Sequence, residues 1–487
     1  MDLESSNLEL PNSTMQPFSV DNELVGRWWD AMVKNTAENQ HEDPGYYANK
    51  PDVLIAEAKV NSFIIGNGDD IFGNMQASIE AAKSEVTIIT CFWARSSSLN
   101  KLSTSLRRLS NKVVESNRPK VRVFIGFSSL SKLQMLFHTS SLHGQDHPPA
   151  TWPTKLGLPS VDELPGLDIQ IKSIFVRPFC VMHPKFIIID RQMVWLPSCN
   201  VSWETWFEGC ISLSGPIVQP FLDFWHQFWV RDGNQTAIGW DSSQPPLIQG
   251  PLPLDRALFG AAHGIVDLQD MPVIESVFLP SPNHMNPRFR LPFQQAAAPP
   301  PTPLNLFILE LFNSATESIY IQTPNLTSPP LIDAILEALD RGISVHIVTS
   351  KRLMIIEQLV LAGTTTSRCV TGLIKRYQHI VKARRSSVDE ETGLMPIGKL
   401  RIEYYEPKST GGREEGEPLQ SHLKMTIADH KWVVLGSGNM DRPSWYTSQE
   451  LGVALHSQDL CQRIRGTVDH ALEERKRLVF DGLNLNN

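Results

Sequence analysis

The chain has 487 residues, with 44 Lys+Arg against 52 Asp+Glu, a net charge of -8 and a pI near 6.0. That is long for one compact core and lacks the basic excess of a dedicated nucleic-acid binder. Six scattered cysteines (Cys91, Cys180, Cys199, Cys210, Cys369, Cys461) form no C-x-x-C pair, which argues against a disulfide scaffold and for buried thiols in a reducing compartment.

The opening MDLESSNLELPNSTMQ is acidic and polar, without the apolar core of a signal peptide, and residues 1–20 read as a disordered tail. No stretch reaches about 18 uninterrupted apolar residues, so the expectation is a soluble, cytoplasmic chain that is at most peripheral to membranes. VNSFIIGNGDDIFGNMQASIEAAKSEVTIITCFW then reads as strand, glycine turn, amphipathic helix and strand, with Ile71, Met75, Ile79 and Ala82 on one helical face. In HPKFIIID the alternation of a strand places His183 and Lys185 on the same side, at the mouth of an apolar run that buries itself in a sheet. FLDFWHQFW spaces Phe221, Phe224, Trp225, Phe228 and Trp229 as the core-facing stripe of a helix.

The Pro and Ala run from Ala296 to Pro303 predicts an exposed, polyproline-like linker. Beyond it, LNLFILELFNSATESIYIQTPN and LIDAILEALDRGISVHIVTS each give a helix followed by a strand, so the chain repeats its own order. LMIIEQLVLAG from Leu353, behind Lys351 and Arg352, is too short to span a bilayer and predicts a helix suited to an interface. The cluster Lys375, Arg376, His379, Lys382, Arg384 and Arg385 predicts a solvated helix face, with an anion platform as the alternative. The resulting division is 1–20, 21–240, 241–303 and 304–487.

The strongest signal is a duplication. His183-x-Lys185-x4-Asp190 is followed by Ser198-Cys199-Asn200, and His422-x-Lys424-x4-Asp429 by Ser437-Gly438-Asn439, with identical spacing. Each half adds a glutamate in an apolar setting, Glu208 in FEGCISL and Glu450 in QELGVAL. From ordinary residue usage, two such matches in one chain arise by chance far less often than roughly one time in a thousand. The set suits a phosphodiester, an anion that repels nucleophiles and needs cations, a nucleophile and a proton donor in line. A neutral imidazole can attack phosphorus, a protonated one can supply the leaving group's proton, and Lys185 and Lys424 can hold the non-bridging oxygens with Asn200 and Asn439, without metal or cofactor. Asp190 and Asp429, each before a polar pair, read as structural residues at the turns that end their strands.

These motifs resemble the phospholipase D superfamily, and GNGDDIF, SIEAAKSEV and LDRGISVHIV resemble its cardiolipin-synthase and phosphatidyltransferase branch in particular. The resemblance implies an α/β fold of two lobes related by a pseudo-twofold axis, each a mixed sheet flanked by helices, over 21–240 and 304–487. Together the lobes share one active site. It also implies phosphate-loop positions for Ser198 and Ser437, and a tautomer-fixing role for Glu208 and Glu450 on the histidines. His183 would be the nucleophile and His422 the acid. The implied partners are a phospholipid with an alcohol or water as acceptor, and a peripheral membrane contact. A nuclease using the same site on DNA or RNA is the rival reading, and an inactive phosphate- or membrane-binding scaffold a third. Pro197 departs from the pattern, standing where the second half has Gly436.

Overall fold

The apolar runs assemble into two large sheets in the computed structural model, which describes residues 22–130, 141–175, 181–231, 263–282, 298–387, 396–408 and 416–482. The expected N-terminal tail lies outside these residues, as do Cys180 and most of the segment 241–303. After helix α1 (Glu23–Lys34), the first half runs β1 (Ile55–Gly66), α2 (Gly68–Glu80), β2 (Glu85–Phe92), α3 (Ser97–Glu115), β3 (Val121–Ser129), β4 (Ser141–Asp146), β5 (Leu167–Phe175), β6 (Phe186–Ile189), β7 (Met193–Pro197), β8 (Glu208–Ser214) and α4 (Val218–Trp225). After β9 (Gly264–Asp267), the second half repeats the order. It has β10 (Ile274–Ser281), α5 (Pro303–Ser314), β11 (Ser318–Thr323), α6 (Pro329–Asp340), β12 (Ser344–Thr349), α7 (Ile355–Ala362), α8 (Thr366–Ser387), β13 (Leu400–Tyr405), β14 (Met425–Ala428), β15 (Trp432–Gly436), β16 (Glu450–His456), α9 (Gln458–Ala471) and β17 (Lys476–Asp481).

The first sheet has the order β4-β5-β3-β2-β6-β7-β8-β1-β9, with β2, β3 and β5 parallel. The second has the order β17-β13-β12-β11-β14-β15-β16-β10, with β11, β12 and β13 parallel. The two therefore share one topology, that of paired mixed sheets flanked by helices. β1 joins them: Ile55 to Ala58 pair with β10, while Lys59 to Gly66 pair with β8. Phe221 and Phe224 reach Phe278 of β10 at 4.6 and 6.0 Å, and all five aromatics of the FLDFWHQFW stripe are buried.

Local chemistry explains the elements. Asn67 and Asp70 form a reciprocal cap at the start of α2, each side chain accepting the other's backbone N–H at 3.0 and 2.9 Å. Ile71, Met75 and Ile79 face the core, with Ala82 buried just past the helix end. The proline run needs correction in its described part. Rather than an exposed linker, Thr302 is a buried N-cap for α5, and the carbonyls of Pro300 and Pro301 accept from Asn305 and Asn39 at 3.0 and 2.9 Å. Proline tolerates the first helical turn, where no amide donor is required. On α8 two of the cations pair with α6, exposed Arg376 with Asp333 at 2.7 Å and half-buried Arg384 with Asp340 at 2.9 Å. The five described cysteines are free thiols, four of them buried.

The two motif aspartates occupy equivalent turns. Asp190 and Arg191, like Asp429 and His430, are consecutive residues with positive φ in the β6–β7 and β14–β15 hairpins. The Asp190 carboxylate accepts from the backbone N–H groups of Lys83, Ser84 and Glu85 and from the Ser84 hydroxyl, at 2.7 to 3.1 Å. Asp429 accepts likewise from Thr316, Glu317 and Ser318. Each clamps the entry to the strand that neighbours its own.

Because Asp190 is fully buried, Asp190→Ala leaves three backbone donors without an acceptor, and the expected cost is about 2–4 kcal/mol of stability. Thermal denaturation should show a midpoint several degrees lower, and Asp429→Ala, at a less buried turn, a smaller shift. An unchanged midpoint for Asp190→Ala would contradict this role.

Candidate active site

The two motifs meet because each lobe completes the other's strand entry. His183 N–H donates to the Gln449 carbonyl at 3.0 Å, and Gln449 N–H returns a bond to Val181 at 2.9 Å. In mirror fashion His422 N–H donates to the Phe207 carbonyl at 2.8 Å, and Phe207 N–H to Gln420 at 2.7 Å. Gln449 and Phe207 each precede a glutamate, so the carboxylates arrive on the opposite lobe's histidines. His183 Nδ1 lies 2.8 Å from Glu450 Oε2, and His422 Nδ1 lies 2.8 Å from Glu208 Oε1. With the carboxylate accepting at Nδ1, the reactive electron pair of each ring sits on Nε2.

The serines lie beneath the glutamates. Ser198 Oγ donates to Glu208 Oε2, and Ser437 Oγ to Glu450 Oε2 at 2.5 Å, while each hydroxyl accepts the N–H of the residue after its glutamate. These hydroxyls therefore hold carboxylates and do not stand free for a phosphate. Pro197 does not disturb this arrangement, because Ser198 N–H bonds the Gly209 carbonyl at 2.8 Å just as Ser437 N–H bonds that of Leu451 at 2.9 Å. At Gly436 the backbone comes closer, and a Cβ there would lie 2.3 Å from the Leu451 carbonyl oxygen.

Both motif lysines are buried. Lys185 Nζ donates to the His183 carbonyl at 2.8 Å, and Lys424 Nζ donates to the His422 carbonyl at 2.7 Å and to its Nε2 at 2.8 Å. The asparagines differ. Asn200 Oδ1 accepts from Phe92 N–H at 3.2 Å, whereas Asn439 donates to Asp441 at 3.2 Å and its buried Oδ1 has no hydrogen-bond partner among the described residues. Among the described residues, no group of three or more His, Cys, Asp or Glu is arranged to hold a metal ion.

Burial dominates the electrostatics. It pushes His422 down to about 3, with the nearby Lys424 charge adding to the effect against Glu208. It also lowers His183, opposed by Glu450. Lys424 is brought down to about 7 by burial, against the pull of Glu208. Burial raises Glu208 and Glu450, but their histidine and lysine neighbours outweigh it and hold both below the usual carboxylate range. The resting site thus holds neutral imidazoles and ionised carboxylates, an arrangement that an incoming phosphate anion unbalances.

Several residues here carry no sequence motif. Ser444 donates to the free oxygen of Glu450 at 2.6 Å from a short helix, Arg442–Tyr446, that has no counterpart in the first half. That helix also accounts for the longer spacing from Asn439 to Glu450 than from Asn200 to Glu208. Trp206 lies on the His422 ring, with centroids 4.6 Å apart. Only the proximity of Trp206 to Glu208 in sequence could have pointed to it.

Residues 308–472 match the family described as cardiolipin synthase, PLD-like domain. No curated protein sequence matches the chain. Among solved structures it is similar to phosphatidylserine synthase of Haemophilus influenzae Rd KW20, at 12% identity and a TM-score of 0.51 over 92% of both chains, a likeness of fold that spans both lobes. It also matches NucT from Helicobacter pylori (17% identity, 36% of this chain and 88% of that chain, TM-score 0.25). A third match is Nuc from Salmonella typhimurium, a phospholipase D family member (18% identity, 36% and 91%, TM-score 0.24).

The lowered histidines have a consequence for stability. The unfolded chain protonates its imidazoles near 6.5 while folded His422 stays neutral to about 3, so stability present above 6.5 is lost as pH falls through that window. The lowered carboxylates add loss in the same direction below about 4.5. The thermal midpoint should therefore fall between pH 7 and pH 4, and His422→Gln should flatten that slope. Identical slopes in the two proteins would contradict the assignment.

Proposed function

We propose that the chain, residues 308–472 of which match the cardiolipin synthase, PLD-like domain family, acts as a member of the phospholipase D superfamily that cleaves and exchanges phospholipid headgroups through a phosphohistidine on His183. The observation that carries the proposal is the pair of imidazoles, each pinned at Nδ1 by a buried carboxylate from the opposite lobe, beside two buried lysines. The His183 side chain is 16% exposed and that of His422 5%, which favours His183 as the nucleophile.

In this mechanism the phosphodiester enters between the lysines, and Lys424 exchanges its contact with His422 Nε2 for a phosphoryl oxygen. Phosphate charge raises the His422 pKa, so His422 takes up a proton on Nε2. His183 Nε2 then bonds to phosphorus as the bond to the headgroup oxygen breaks, and His422 gives its proton to the departing alkoxide. Neutral His422 next removes a proton from water or an alcohol, whose oxygen bonds to phosphorus and releases His183. The proton gained in that step returns His422 to its acid form. Glu450 and Glu208 stabilise the charge that develops on each ring, and Lys185 and Lys424 supply the cationic field that a metal would otherwise provide. Ser198, Ser437 and Ser444 position the carboxylates. Asn200 and Asn439 stand beside the phosphate.

The test is a panel of phospholipid vesicles, single-stranded DNA, double-stranded DNA and RNA, run in EDTA with and without a primary alcohol. The expected result is phospholipid cleavage that survives EDTA and is diverted to an alcohol adduct. His183→Ala should lose ~10³-fold or more on every substrate. His422→Ala should still release p-nitrophenol from an activated diester and accumulate an adduct on His183. Loss in EDTA restored by a divalent ion, turnover of nucleic acid alone, or an adduct on His422 in the His183 variant would overturn the proposal.

A further inference from the structure

Helix α7 leaves the carboxyl end of β12 with its apolar side turned to solvent. Ile356 is 78% exposed and Val360 63%, and Met354, Ile355 and Leu359 are exposed as well. At 100° per residue, Ile355, Ile356, Leu359 and Val360 share one face. The opposite side carries Gln358, which is buried and fully engaged. Its amide nitrogen donates to Asn325 Oδ1 at 2.9 Å, and its oxygen accepts from Thr366 N–H and Oγ1 at 2.6 and 3.0 Å. The helix is therefore held by polar contacts, while its apolar face is left uncovered among the described residues.

Its place in the fold is beside the active site. Ser350, directly after β12, donates to the Ser421 carbonyl at 2.9 Å, one residue before His422. Gln358 continues through Asn325 to Asp441, at 3.4 Å, and Asp441 accepts from Asn439 at 3.2 Å. Trp203, 66% exposed, stands three residues before Trp206, which lies on His422, so a second exposed apolar group belongs to the loop that reaches the site.

Charge indicates the occupant. On a chain of net charge -8, residues 351–368 carry Lys351, Arg352 and Arg368 against Glu357 alone; the three cations are exposed and flank the apolar face in sequence, two before it and one after it. A second protein copy fits poorly, since an eight-residue helix about 12 Å long presents far less than the roughly 800 Å² per partner of a stable interface. An apolar face flanked by cations matches the boundary between headgroups and acyl chains of an anionic bilayer. No helix among the described residues is long and apolar enough to cross a membrane, so the contact lies in the interfacial plane.

We propose that α7, with Trp203, docks the protein on an anionic phospholipid bilayer and brings the paired-histidine site to the headgroups. This rests on the phospholipid reading of the site. The experiment measures co-sedimentation with phosphatidylglycerol/phosphatidylcholine vesicles and with phosphatidylcholine vesicles, alongside turnover of vesicle lipid and of a water-soluble p-nitrophenyl phosphodiester. Ile356→Asp/Val360→Asp should weaken binding to both kinds of vesicle by about tenfold or more, with a matching loss on vesicle lipid and unchanged turnover of the soluble diester. Lys351→Glu/Arg352→Glu should weaken binding to the anionic vesicles alone, and high salt should reproduce that loss. Wild-type protein that ignores both kinds of vesicle, or an aspartate double variant that binds like wild type, would overturn the proposal. So would light scattering that showed a wild-type dimer converted to a monomer by the aspartate variant, which would assign the face to a second copy. Vesicle binding lost in the variant while wild type cleaves no phospholipid would support the surface and count against the proposed chemistry alone.

Discussion

The site depends on an exchange of backbone between lobes. Residues 181–183 pair with Gln449, and residues 420–423 with Phe207, so each histidine is placed by one lobe and fixed in its tautomer by the other. Neither lobe holds a complete histidine–carboxylate pair. β1 makes the exchange rigid, because one continuous strand is hydrogen-bonded into both sheets. Such a site is built only when both halves are folded and docked, which fits a shared core in which Phe221 and Phe224 of the first half pack on Phe278 of the second.

The second constraint is electrostatic. Two lysines and two glutamates are buried around the paired imidazoles, and burying such charges is costly unless they compensate one another. Here the opposite charges balance, the serines satisfy carboxylate oxygens, and the lysines satisfy backbone carbonyls. Burial keeps the imidazoles neutral and leaves the site ready for an anion. The asymmetry between halves arises from small differences around this core: Lys424 reaches Nε2 of its histidine, and Ser444 adds a bond to Glu450 that has no counterpart at Glu208 among the described residues.

Much of this was legible in sequence. The duplicated spacing announced two lobes, and the strand–helix alternation of residues 60–93 and 304–350 became β1, β2, β11 and β12 with their intervening helices, because periodicity reports which face is buried. The aromatic stripe from Phe221 packed as core for the same reason. Three features escaped. The proline run ending at Pro303 was expected to be exposed, but proline in a linker and proline in a capped first helical turn have the same composition. The serines matched phosphate-loop positions by motif, yet the direction of a hydroxyl depends on the residue across the hairpin. The exchange of glutamates between lobes is a long-range pairing that local pattern cannot carry, and Trp206 and Ser444 matter only through it.

That exchange is the central claim, and the kinetics of two substitutions test it most directly. Glu450→Gln and Glu208→Gln should be compared on a diester with a p-nitrophenol leaving group and on one with an alkyl leaving group that requires a proton. If Glu450 serves His183, the nucleophile, Glu450→Gln should slow both substrates alike. If Glu208 serves His422, Glu208→Gln should slow the alkyl diester strongly and spare the first release of p-nitrophenol. The reverse pattern, with Glu208→Gln slowing both substrates and Glu450→Gln sparing p-nitrophenol release, would contradict the account of how these lobes share one site.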